Sequence, residues 1–128
     1  MIVIRNEKDV SAVLDKSVRE HIEQRIAELE PYTLEDLGTF AVVEDADNVR
    51  VVNDFYAMDV RRNQRTGHHY TDPAFYPPWE VIEDLGSFYA ITWITGSDGK
   101  GLVLLVPHTC NIPQLLTMCR TFAVKGGQ

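Results

Sequence analysis

Cysteine is nearly absent from this 128-residue chain, which has only Cys110 and Cys119. Two such irregularly placed thiols cannot form the disulfide framework of a small secreted domain, so a reducing compartment, the cytoplasm, is expected. Long apolar runs are missing too. The aliphatic start Ile2-Val3-Ile4 yields at once to Arg5, too short for a signal-peptide core, and no run approaches the roughly 18 apolar residues that span a bilayer. No membrane partner is therefore expected. None of the metal-binding spacings CxxC, HxxxH or HExxH occurs, and zinc needs three or four convergent ligands, so neither a metal nor another cofactor is predicted. Cations are scarce, with 12 Lys and Arg against 19 Asp and Glu. A pI near 4.9 argues against a grip on phosphates, which needs clustered cations to displace counterions, and no recognition motif occurs, so direct binding of nucleic acid is not expected.

What the chain does have is enough apolar mass for one core. Its 45% hydrophobic content needs no staple to fold at this length. The expectation is a single compact α+β domain over residues 1–124 with a frayed tail at 125–128. After a short strand at Ile2-Val3-Ile4, Asp9 or Ser11 caps a helix in which Val10, Leu14, Val18, Ile22, Ile26 and Leu29 form one apolar stripe at helical spacing. Pro31 ends that helix. Thr39 to Val43 reads as a strand, and Asp47 or Asn48 caps a helix from about residue 48 to 61, although the β-branched Val49 to Val52 would also suit a strand.

The C-terminal half carries the clearest fold signal. Trp79 to Ile82 and Phe88 to Ile94 read as antiparallel strands joined at Asp84-Leu85-Gly86. Ser97 to Gly101 turns the chain into Leu102-Val103-Leu104-Leu105-Val106. That run has no polar alternation, which marks a central strand covered on both faces. Asn111 caps a last helix, with Pro113 in its first turn. The predicted fold is an antiparallel sheet of about four to five strands, including this C-terminal meander, with two or three helices packed mainly on one face.

Charge is unevenly spread. Residues 1–48 hold 5 Lys and Arg against 12 Asp and Glu, whereas Arg61, Arg62 and Arg65 run into His68 and His69. Such a field steers charged partners. From Asn63 to Pro78 there is no aliphatic residue larger than Ala74, yet Tyr70, Phe75 and Tyr76 recur, and loops of that length are usually functional or mobile. The candidate partner-binding residues are therefore Arg61, Arg62, Arg65, His68, His69, Tyr70, Tyr76 and Trp79. Guanidinium forks suit carboxylate or phosphate partners, and large rings supply contact area at low entropic cost.

Chemical motifs are weak. His108-Thr109-Cys110 sits at a strand-to-helix junction, but a thiol nucleophile also needs a base and an oxyanion donor brought together by the fold. Asp98-Gly99-Lys100-Gly101 lacks the spacing of a phosphate loop and precedes a strand, so it reads as a turn. No residue is assigned a catalytic role. The leading expectation is a small acidic, non-enzymatic protein-interaction module, an adaptor or inhibitor, with a decoy for the basic site of a nucleic-acid-binding protein as its sharpest form. Another protein is the expected partner, and a homodimer is a second way to cover exposed apolar surface. The alternative is a small-ligand-binding protein or enzyme that holds an anionic substrate with an Arg/His/Cys site.

Overall fold

A strand that is apolar on both sides needs cover on both sides, and β5 (Gly101–Pro107) has it. In the computed structural model, which describes residues 1–66, 80–94 and 101–126, β5 is the middle of a five-stranded sheet of order β1-β2-β5-β4-β3. The other strands are β1 (Ile2–Ile4), β2 (Gly38–Val42), β3 (Glu80–Asp84) and β4 (Phe88–Ile94). Among the described residues four α-helices accompany them: α1 (Lys16–Glu28), α2 (Leu34–Leu37), α3 (Asn48–Thr66) and α4 (Ile112–Gly126). The architecture is α+β.

Leu102, Leu104 and Val106 of β5 bury against Val51, Val52 and Phe55 of α3 and Leu115, Leu116 and Cys119 of α4. Leu105, on the opposite face, packs with Phe40 and Val42 of β2, Phe88 and Ala90 of β4, and Val18 and Ile22 of α1. The period of two along the strand produces this division. It also corrects the expectation that helices would lie mainly on one face. The apolar sides of β2, β4 and β5 are too extensive for two helices to cover, so α1 closes one face while α3 and α4 close the other.

The sheet is mixed rather than antiparallel throughout. β3 pairs antiparallel with β4, and β4 with β5, as the meander predicts. β5 then lies parallel to β2, with Phe40 opposite Val103 and Val42 opposite Leu105, and β2 is antiparallel to β1. Hairpin signals act over a few residues and fix β3 to β5. Nothing local specifies which strand receives the free side of β5.

The N-terminal apolar stripe is not one helix. Asn6 accepts the N–H groups of Lys8 and Asp9 to open a 3-10 helix over Glu7–Ala12. Asp15 then opens α1 by accepting the Val18 N–H at 3.2 Å. A side-chain acceptor at an N-cap contributes about 1 kcal/mol, and here it restarts the helix just after buried Val13 and leaves Leu14 84% exposed. The ambiguous Val49 to Val52 stretch is helical, because Asp47 takes the Val49 N–H at 3.1 Å and Val51, Val52, Phe55 and Met58 share one buried face. As expected, Asn111 caps α4 by accepting the Gln114 N–H. Asn48 joins the two helix starts, donating its amide to the Asn111 carbonyl at 2.8 Å. Among the described residues no helix is long and apolar enough to cross a membrane.

Candidate functional site

Arg61, Arg62 and Arg65 fall on the last turns of α3, with their side chains outside the described residues. His68, His69, Tyr70, Tyr76 and Trp79 lie outside the described residues altogether, as does their convergence with His108 and Cys110.

At the junction between β5 and α4, His108 and Cys110 are held apart in environment. Cys110 is buried. Burial pushes its thiol up from the ordinary range, and the Asp45 carboxylate adds to the effect. A thiol kept protonated is a poor nucleophile. His108 instead faces outward and meets a residue that the sequence reading treats only as a turn former. Its Nε2 lies 3.0 Å from Oδ1 of Asp84, and its ring stacks at a tilt on Tyr89, with centroids 4.3 Å apart. The register creates this cluster, since Asp84 lies opposite Tyr89 and Tyr89 opposite Val106, two residues before His108. Asp84 also accepts the Gly86 N–H at 3.0 Å. That bond does most to hold the carboxyl below its ordinary range; slight desolvation opposes it, and the His108 charge and hydrogen bond add to it. Among the described residues no hydroxyl or thiol hydrogen-bonds His108, and no three His, Cys, Asp or Glu side chains gather as a metal site requires. This pair is a surface latch between the β3–β4 turn and the start of α4.

The other feature is the β3 edge of the sheet. Val81 and Ile82 are 50% and 42% exposed, and carboxylates follow them at Glu83 and Asp84. Register assigns the faces. Val81 and Glu83 pair with Thr92 and Ala90 and so stand on the α1 side, whereas Ile82 and Asp84 pair with Ile91 and Tyr89 on the α3 and α4 side. On the α1 side the helix stops short of β3. It leaves a cleft of about 270 Å³ between its His21, Arg25 and Glu28 and the strand residues Phe40, Val103, Ala90, Thr92 and Glu83. None of these is singled out by the sequence reading. The available signal is the segment Glu80-Val81-Ile82-Glu83-Asp84, in which two adjacent aliphatics among carboxylates suit an edge strand that resists self-pairing.

His21 bridges cleft and core, with its ring edge-on to Phe88 at 5.6 Å. Burial holds its pKa below 6.5, and Arg25 lowers it further against the opposing pull of Glu83 and Glu28. The unfolded chain therefore binds a proton more readily than the native one once pH drops through 6.5. Stability should fall as pH drops from 7 through 6.5 toward the depressed native value. Urea unfolding of the wild type and His21→Gln at several pH values between 5 and 8 checks this, with a flatter pH dependence expected for the variant. Identical slopes for the two proteins would refute the assignment.

These features define the described residues as an α+β fold built on one mixed five-stranded sheet with an acidic, partly apolar edge at β3. No family model, curated protein or solved structure matches the chain.

Proposed function

We propose that the protein is an acidic interaction module that binds a basic partner protein by strand addition at β3. The observation that supports this most is the half-exposed pair Val81 and Ile82 beside Glu83 and Asp84, on a strand whose one neighbour among the described residues is β4. Edge strands offer a row of backbone donors and acceptors, and strand addition takes affinity from that row and specificity from alternating side chains. A second copy is the poorer occupant. An antiparallel β3 pair centred on Ile82 would set Glu80 against Asp84 on both sides, and like charges directly opposite are destabilising. Lysine or arginine flanking aliphatic residues on the incoming strand would reverse the sign of those contacts. The carboxylates of β3 itself, Glu80, Glu83 and Asp84, supply a negative field that speeds encounter with a cationic partner.

This role accords with an adaptor or inhibitor, and a decoy for a nucleic-acid-binding protein is one form of it, because such a protein carries the required basic surface. The test begins by recovering the bound partner on wild-type protein at low salt. Its affinity is then measured for wild type, Ile82→Lys and Asp84→Lys, each with its fold verified by circular dichroism. Both variants should bind at least about tenfold more weakly, in line with the loss of roughly 1.4 kcal/mol from a buried edge contact. Wild-type affinity should also fall as salt rises. Equal binding by all three proteins would remove β3 as the interface.

A further inference from the structure

The cleft beside α1 has an unbalanced charge over an apolar floor. Phe40, Ala90 and Val103, contributed by three adjacent strands, make the floor, and Thr92 adds a hydroxyl at its β4 side. Arg25 on the helical rim is already compensated by Glu28 at 3.5 Å. Glu83 on the opposite rim is not, since among the described residues no cationic group lies within 4 Å of its carboxylate. We propose that this cleft binds a small organic monocation, an ammonium or guanidinium head on a short apolar stem. The head sits on Glu83 and the stem on Phe40, Ala90 and Val103.

Size and sign narrow the ligand. A volume of about 270 Å³ lies just under the roughly 300–1,000 Å³ typical of drug-sized ligands, which suits a single ring or short alkyl chain. An anion would meet Glu83 and Glu28 with one already paired Arg25 to hold it. A dication would bring its second charge toward Arg25. Because Glu83 is exposed, its attraction is partly screened and the charge contributes modestly to affinity, by about fivefold. The site does not depend on strand addition at β3.

The probes are phenethylammonium, its neutral counterpart 2-phenylethanol, and phenylacetate, each titrated into the 15N-labelled protein and followed by amide chemical shifts. Phenethylammonium should give saturable shifts centred on Phe40, Ala90 and Thr92, with the alcohol about fivefold weaker and phenylacetate without effect. Glu83→Gln, a change at an exposed side chain that leaves the fold intact, should weaken the cation about fivefold and leave the alcohol unchanged. Ile82→Lys, on the other face of β3, should bind the cation as wild type does, so failure at the partner surface and failure at the cleft are read separately. The proposal is overturned by an absence of saturable shifts at the cleft, by equal affinity for cation and alcohol, or by undiminished cation binding in Glu83→Gln.

Discussion

Replacing Phe55 by alanine is expected to lower unfolding stability by about 3–5 kcal/mol, the range measured for truncating a buried phenylalanine. The ring is fully buried on α3, where it packs with Val51, Val52 and Met58 against Leu102, Leu104 and Ile91 of the central strands. Its removal forfeits the transfer free energy of the ring and leaves a cavity that three rigid strands and two helices cannot collapse. A domain of this length has about 5–15 kcal/mol to lose, so the variant approaches the unfolding threshold. Chemical denaturation should show the midpoint moving with little change in m-value, since the same surface is exposed on unfolding. A loss below about 1 kcal/mol would show that α3 is not clamped on the sheet in this way.

Residue pattern reveals the elements of this fold more readily than their assembly. The uninterrupted apolar run from Leu102 to Val106 requires cover on both faces, and β5 is the central strand. Asn111 and Asp47 mark helix starts because capping is local chemistry, settled within three residues. The parallel pairing of β2 with β5 is long-range and leaves no local trace. The broken first helix fails for a different reason: the spacing from Val10 to Leu29 satisfies a helical period, but Asp15 competes for the backbone and wins, so Leu14 falls out of the stripe.

The candidate site was less legible than the fold. His108 was visible as a junction residue, whereas its partner Asp84 was not, because the two meet only after β3, β4 and β5 have paired. The cleft is harder still to see, since its charge imbalance arises from His21, Arg25 and Glu28 on α1 and Glu83 on β3. Each of these reads in sequence as an ordinary solvated side chain. Only the point at which α1 ends over the sheet makes them neighbours. The edge position of β3 likewise follows from topology, because two aliphatics flanked by carboxylates suit an edge strand but do not fix the sheet order that makes β3 one.

A pair of glycines lines part of the same cleft, and Gly38→Ala is the second substitution with a large expected cost. Gly38 opens β2 directly opposite Gly101, which opens β5. Its φ of 148° is one that side-chain-bearing residues rarely adopt, and a Cβ there would collide with the Gly101 carbonyl and lie 2.8 Å from its nitrogen. These obstacles are backbone atoms of the central strand, which cannot rotate aside as a side chain would. Backbone strain of about 1–3 kcal/mol and overpacking of about 1–3 kcal/mol together place the loss at about 3 kcal/mol or more. Gly86 supplies the control: it also has positive φ, 94°, but a Cβ there meets nothing within 4 Å, so Gly86→Ala should cost only the conformational part, about 1–2 kcal/mol. Denaturant unfolding of both variants separates the two contributions. If Gly38→Ala proved no more costly than Gly86→Ala, the close parallel approach of β2 to β5 would be wrong, and with it that part of the cleft lining.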